Sequence, residues 1–172
     1  MELDVAIGLI EKGVSKNARQ TWADLGAGNG LFTIALSKLL AAGSKIIAID
    51  KKAGKISVSK GIHLEIRTGD FTNELHALVM DKTGAENSSK LDGVLMANAL
   101  HYVEDQQEFL EQLSTETKRL IIVEYNTDRS NQWVPYPISF SKLKSVSPGA
   151  VLIGEAPSAF HKEGMYSALI LF

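Results

Sequence analysis

Between Thr21 and Leu40 the sequence passes from a short apolar run through a glycine cluster into a helical pattern, and that transition limits the folds open to the chain. Thr21-Trp22-Ala23-Asp24-Leu25 stops at Gly26-Ala27-Gly28-Asn29-Gly30, after which Phe32, Leu36, Leu39 and Leu40 share one helical face ending near Gly43. The order is strand, tight turn, helix, and it repeats. Lys45-Ile46-Ile47-Ala48-Ile49-Asp50 predicts a second strand, followed by a short lysine-rich helix through about Ser59. Ile62 to Arg67 predicts a third strand and Phe71 to Met80 a third crossover helix. Residues 81–90 are polar and small, the signature of a mobile loop. A fourth strand over Leu91 to Ala97, a helix carrying Phe109, Leu110 and Leu113, and a fifth strand over Leu120 to Glu124 complete the alternation. Strands alternating with helices at this pitch require a parallel sheet covered on both faces.

The tail breaks the rhythm. Ala150 to Glu155 and Met165 to Phe172 are both strand-like, with nine residues between them. A parallel pair needs a crossover of about a dozen residues or more, so these two are expected to be antiparallel. The expected fold class is α/β: a doubly wound, seven-stranded sheet, six strands parallel and the C-terminal one antiparallel. Leu3, Ile7, Ile10 and Val14 form an apolar stripe on an N-terminal helix that ends at Gly13 or soon after, so residues 1–20 read as a cap helix on a single domain, 1–172.

Composition excludes several kinds of chemistry. The sequence contains no cysteine, which removes disulfides, thiolate zinc sites and cysteine nucleophiles and fits an intracellular protein. Met1-Glu2-Leu3-Asp4 is acidic and amphipathic, unlike a signal peptide, and no run of about 18 apolar residues occurs. A soluble, cytoplasmic domain is expected. The net charge of −2 is unevenly spread: residues 38–60 hold six lysines against Asp50, a local +5, leaving −7 on the rest. That stretch is either a phosphate-attracting surface or a solvated helix face with two loops. No aromatic residue is interleaved for stacking on bases, which favours the second.

A strand feeding a glycine turn and a helix start is a place for a nucleotide, because backbone N–H groups are free there and glycines admit the ligand. Spacing decides which nucleotide. A dinucleotide fold calls for G-x-G-x-x-G, but Leu31 stands at the third glycine. The sequence instead offers Asp24-x-Gly26-x-Gly28-x-Gly30. An acid also ends the second strand at Asp50, Gly69-Asp70-Phe71 follows the third, and Ala97-Asn98-Ala99-Leu100-His101-Tyr102 follows the fourth.

In this combination, over essentially its whole length, the chain resembles the class I S-adenosylmethionine-dependent methyltransferases, specifically small single-domain members of the type 11/12-like group. The resemblance implies a Rossmann-like fold, S-adenosylmethionine as cofactor, and a set of cofactor-binding residues. Asp24 would accept from the methionine ammonium, or else merely cap the turn. Gly26, Ala27 and Gly28 would be backbone approach points. Asp50, with Lys51 beside it, would take the ribose hydroxyls, or cap a helix. Asp70 and Phe71 would define the adenine slot; Asp70 could alternatively cap the following helix through Asn73 and Glu74, and the two roles can coexist. Ala97 and Asn98 would close the site after the fourth strand.

Methyl transfer from a sulfonium is an in-line displacement that needs alignment more than acid or base. Proximity alone can supply roughly 7–11 kcal/mol in the best intramolecular cases. A base is needed where the nucleophile must lose a proton. His101 is the candidate, since its ordinary pKa is near neutrality and it follows the fourth strand; the alternative is a histidine packed at a helix start. Tyr102 shares the location and is the second catalytic candidate. The stretch from Glu124 to Pro137 holds three aromatics and two prolines on the same edge. It reads as a substrate wall built from Asn126, Arg129, Trp133 and Tyr136, or as a loop packing its own aromatics. His161, between the last two strands, would reach the same edge.

The missing cysteine excludes cytosine-C5 methylation. Asn98-Ala99-Leu100-His101 departs from the Asp/Asn-Pro-Pro-aromatic segment of enzymes that methylate base amines. Only Asp128 and Glu124 are plausible carboxylates for a catechol-type metal site, so no metal is expected. An oxygen or nitrogen nucleophile on a small molecule is the leading expectation. RNA methylation and a non-catalytic methyltransferase-fold binding protein are the alternatives. The acceptor and the oligomeric state are not legible.

Overall fold

A computed structural model of the protein describes residues 1–52, 54–79 and 90–172. Seven strands among them form one sheet: β1 (Thr21–Leu25), β2 (Lys45–Asp50), β3 (His63–Thr68), β4 (Gly93–Ala97), β5 (Arg119–Tyr125), β6 (Val151–Ala156) and β7 (Met165–Leu171). Their spatial order is β3-β2-β1-β4-β5-β7-β6. β1 to β5 pair in parallel, while β7 pairs antiparallel with both β5 and β6. The expected doubly wound sheet with one reversed strand is therefore present. β7 lies inside the sheet, and β6 takes the edge.

Strand parity builds two cores. Trp22, Ile46, Leu95, Ile121 and Val123 face helices α1 (Leu3–Ile10) and α2 (Leu31–Leu39). Their neighbours Ala23, Leu25, Ile47, Ile49, Val94, Met96, Leu120 and Ile122 face α3 (Phe71–Val79), α4 (Gln106–Glu116) and α5 (Phe140–Val146). Because both faces are covered, the central strands read as continuous apolar runs rather than alternating ones. Each fully buried Leu or Ile side chain contributes about 1.5–3 kcal/mol relative to exposure. Trp22, fully buried, has its indole N–H donated to Gln20 Oε1 at 3.1 Å. Its ring lies over Gly93, where a Cβ would stand 2.4 Å from a ring carbon, so the β4 strand can begin there only with glycine.

Three details differ from expectation. No helix follows β2: the described residues from Lys51 to Gly61 are irregular. Gly54 and the β-branched Ile56 and Val58 oppose a helix, and Ile56 lies against Gly30, so the chain is drawn across the glycine turn. Helix α5, which the sequence reading omits, crosses from β5 to β6; Ser139 caps it by accepting from Lys142 N at 3.2 Å. Helix α3 is kinked at Glu74. The loop expected over 81–90 lies outside the described residues apart from Lys90.

Helix α1 lies on the sheet beside α2, β5, β6 and β7, with Ser167 Oγ donating to Leu9 O at 2.6 Å. It is a layer of the fold, and of the N-terminal segment only Met1 reaches the ligand edge described below. No described helix is long and apolar enough to cross a membrane.

Candidate active site

The carboxyl ends of the parallel strands converge on one edge of the sheet. At the end of β1 the chain turns through Gly26, Gly28 and Gly30, all at positive φ. Gly26 shows why: at φ 76° an L side chain is strained, and a Cβ would lie 2.7 Å from Ala99 Cβ. The turn hangs on β2, since Gly26 N and Ala27 N both donate to Ile49 O, at 2.8 and 3.0 Å. Asp50 fixes the far side, accepting from Gly28 N at 2.9 Å and Lys52 N at 2.8 Å. Each of its oxygens retains a further acceptor site.

Asp24 is the buried charge of this region, 1% exposed. Thr33 Oγ1 donates to its Oδ2, while Oδ1 is buried with no hydrogen-bond partner among the described residues. Burial, opposed by the Thr33 hydrogen bond and reinforced by the nearby Asp50 carboxylate, lifts its pKa from 3.8 to about 7. An unpartnered buried acceptor normally costs about 1–3 kcal/mol, so a site built this way is built for a donor. Asp24, Gly26, Ala27, Gly28, Asp50, Ala97 and Asn98 line a cavity of about 340 Å³, joined by Met1, Asn29, Leu31, Phe32 and Tyr102.

Asp70, Lys51 and Phe71 sit differently. Asp70 accepts from Thr72 N, Thr72 Oγ1 and Asn73 Nδ2, and pairs with Lys51 Nζ at 2.9 Å. Although partial burial opposes it, the Lys51 and Thr72 hydrogen bonds hold its carboxyl below the usual carboxylate range. Its helix-capping role is thus visible, and Lys51 is engaged with it. The Phe71 ring is buried beneath the glycine turn against Phe109, their centroids 6.0 Å apart.

Beyond β4 the chain enters a short turn in which Asn98 takes φ 51°, an uncommon value outside glycine that asparagine tolerates best. Its Oδ1 is buried without a partner among the described residues. His101 follows, 2% exposed, and its Nδ1 lies 2.7 Å from Oε2 of Glu124, itself 1% exposed at the end of β5. His101 N donates to the other Glu124 oxygen at 3.2 Å. The carboxylate thereby fixes the ring's orientation and favours the tautomer with a proton on Nδ1, leaving Nε2 as the basic atom. Register explains the pairing: Ala97 lies opposite Val123, so the turn after β4 falls beside Glu124.

A second cavity, of about 490 Å³, opens on this dyad. Asn98, His101, Tyr102, Tyr125, Asn131, Trp133, Val134, Phe160 and His161 line it. Among the proposed substrate residues, Trp133 and His161 are brought here. Asn126, Arg129 and Tyr136 are not. Asn126 Oδ1 instead accepts from Phe140 N at 3.0 Å, at the start of α5. Arg129 is exposed on the loop, and Tyr136 lines a neighbouring groove with Glu104 and Glu108. The loop is pinned to the dyad, with Tyr136 N donating to His101 O at 3.0 Å and Gln106 Nε2 to Tyr136 O at 2.7 Å. Sequence reasoning missed Glu124 as the partner of His101, and missed Phe160. A glutamate closing the apolar run Leu120-Ile121-Ile122-Val123 was the available signal, since a buried carboxylate requires a partner. Among the described residues, no group of three or more His, Cys, Asp or Glu side chains converges on a cation site.

A family model described as a methyltransferase domain matches residues 16–159. The chain belongs to that family. Its sheet order and reversed β7 are those of the class I methyltransferase fold. No curated protein matches the sequence significantly. Among solved structures it is similar to the bifunctional kinase-methyltransferase WbdD, with TM-score 0.69 and 18% identity over 98% of this chain and 38% of that one. It is similar also to magnesium protoporphyrin IX methyltransferase (ChlM) from Synechocystis PCC 6803, solved with bound SAM, with TM-score 0.62 and 15% identity over 98% and 77% of the two chains. The mitomycin 7-O-methyltransferase MmcR gives TM-score 0.59 and 15% identity over 99% and 54%. The methyltransferase domain described here thus spans well under half of WbdD.

Proposed function

We propose that the protein binds S-adenosylmethionine in the glycine-turn cavity and moves its methyl group to an oxygen or nitrogen nucleophile of a small molecule in the aromatic cavity. The observation that carries this reading is that Asn98 and Tyr102 line both cavities, so cofactor and acceptor would meet across one shared wall. When bound, the sulfonium supplies an electrophilic methyl carbon and leaves as a neutral thioether. The protein's part is placement and proton handling. Asp24 Oδ1 takes the ammonium, the Gly26–Gly28 backbone admits the nucleoside, and Asp50 offers acceptors to the ribose hydroxyls. Asp70 can reach an adenine amine only by exchanging one of its present partners. His101 Nε2 takes the proton of a hydroxyl nucleophile, and Glu124 holds the resulting imidazolium. Positioning and a base of this kind contribute about 10²–10⁴-fold through proton transfer alone.

RNA is the weaker reading. Within the basic stretch Lys45 pairs with Glu65 at 2.9 Å and Lys51 with Asp70, which reduces the charge available to phosphates. A cytoplasmic location belongs to the same proposal. Calorimetry with S-adenosylmethionine and its demethylated product tests cofactor binding directly, and absence of heat with both would sink the proposal. Incubation with labelled cofactor and fractionated lysate then shows whether label enters small molecules, RNA or protein.

A further inference from the structure

We infer that the acceptor is a neutral, planar ring compound carrying a phenol-type hydroxyl, gripped between the Trp133 and Phe160 loops; this rests on the methyl-transfer reading above. Six of the nine described residues lining the cavity present rings, and none of the nine is Lys, Arg, Asp or Glu. A charged acceptor would lose its hydration there without a counter-ion, whereas a flat neutral ring finds faces to stack on. Trp133 is 72% exposed and Phe160 82% exposed, so both large rings stand in water at the cavity mouth. Their backbones are nevertheless held. Asn131 Oδ1 accepts from Trp133 N and Val134 N at 2.8 and 3.0 Å, and Ser158 Oγ accepts from Phe160 N and His161 N at 3.1 and 3.2 Å. Two separate loops thus present an aromatic side chain from a side-chain-braced turn, an arrangement that buries nothing until a ligand fills it.

The inner end of the cavity selects the nucleophile. Tyr125 stacks near His101, with centroids 6.3 Å apart, and against His161 at 4.4 Å. Burial, with Glu124 and Tyr102 nearby, raises the Tyr125 phenol above its ordinary value and keeps it uncharged. The hydrogen-bonded acid–base pair at the acceptor's reactive end is then His101 with Glu124, 2.7 Å apart, with the His161 ring on the far side of Tyr125. An imidazole can take a proton from a phenol, whose pKa is about 10 as in tyrosine. A saturated alcohol is a far weaker acid and is activated less by the same base, and a neutral aromatic amine already has its lone pair free. The balanced step is transfer of the hydroxyl proton to His101 Nε2, attack of the phenolate oxygen on the methyl carbon, formation of the O–C bond, and departure of the C–S electron pair to sulfur. The proton leaves from the imidazolium to solvent after the methyl ether is released.

The test uses four acceptors of one shape: naphthol, hydroxynaphthoate, naphthylamine and decalol. Of the two tryptophans Trp22 is buried and Trp133 exposed, so ligand-dependent quenching reports on Trp133 and needs no cofactor. We expect naphthol to quench the fluorescence and hydroxynaphthoate not to. With labelled cofactor, naphthol is expected to be methylated and decalol and hydroxynaphthoate not. Trp133→Ala and Phe160→Ala should each raise the naphthol KM up to about tenfold, the worth of one aromatic contact, with kcat little changed, and Trp133→Phe should restore it. Equal quenching by the carboxylated analogue, or methylation of naphthylamine or decalol as fast as naphthol, overturns the inference. So does calorimetric cofactor binding without any methylated naphthol. Cofactor that fails to bind at all defeats the methyl-transfer reading instead, and the quenching comparison still decides whether the cavity takes a neutral ring.

Discussion

The two cavities that meet at Asn98 are built on different plans. The glycine-turn cavity centres on backbone and carboxylates from β1, β2 and the turns that directly follow them, closed by Met1, the start of α2 and the end of β4. The aromatic cavity has no charged lining residue among those described, and gathers side chains from the β4 turn, the end of β5, the 131–134 loop and the β6–β7 link. The first offers hydrogen-bonding groups at fixed positions, which suits one ligand. The second offers shape and stacking, which discriminate among many ligands with few sequence constraints. The difference teaches that one sheet edge can separate a fixed task from an adjustable one by chemistry as much as by position.

Variants in each half should leave the other intact. The largest effect is expected from His101→Asn, which keeps a donor for Glu124 but removes the base: kcat for a hydroxyl acceptor should fall about 10²–10⁴-fold. Calorimetric affinity for the cofactor should not move; if it does, the two cavities are not separable. Gly26→Val should breach the divide, because its side chain would strain the turn and strike Ala99, the neighbour of Asn98, which lines both cavities. A cost of about 1–3 kcal/mol predicts roughly 5–150-fold weaker cofactor binding, together with a changed acceptor KM.

Asp24→Asn sharpens the comparison thermodynamically. Losing a charged hydrogen bond to the ammonium, worth about 1.5–3 kcal/mol, should weaken cofactor binding roughly 10–150-fold. The ligand-free variant should nevertheless melt higher at pH 8. With its pKa raised from 3.8 to about 7, Asp24 supports the fold fully below pH 3.8 and loses that support as pH rises through 7. Removing the buried charge should return up to about 4 kcal/mol, or roughly 8–16 °C in Tm. In the unaltered protein, cofactor affinity measured across pH 5.5–8.5 should fall as Asp24 protonates below about pH 7. A flat profile would separate Asp24 from the ammonium. The smallest effect belongs to Lys51→Ala. Exposed pairs contribute about 0–1 kcal/mol, so stability should hardly change. Freeing one Asp70 acceptor should leave cofactor affinity equal or raised by no more than about fivefold.

The same divide marks what the sequence made legible. The sheet and the glycine turn were readable because strand parity, glycine spacing and terminal acids are local patterns. The lysine-rich helix after β2 was misread because its propensity signal was weak and Ile56 is claimed by packing over Gly30. Helix α5 escaped because it is short and follows two prolines, although Ser139 at its start was a usable cap signal. The His101–Glu124 pair spans 23 residues and depends on β4 and β5 being neighbours, a fact of topology rather than of either segment. Asn126 looked like a substrate residue for the same reason, since its cap on α5 becomes visible only once that helix exists.

The reversal of β7 reaches beyond the topology diagram. Because β7 runs back between β5 and β6, the link carrying Phe160 and His161 returns to the edge where the parallel strands end. That link is a hairpin tip, so it can lengthen, shorten or be replaced without rethreading a crossover or shifting the register beneath it. On the proposed function, acceptor preference can therefore drift, or be transplanted, one loop at a time, while the strands beneath the glycine turn keep their register.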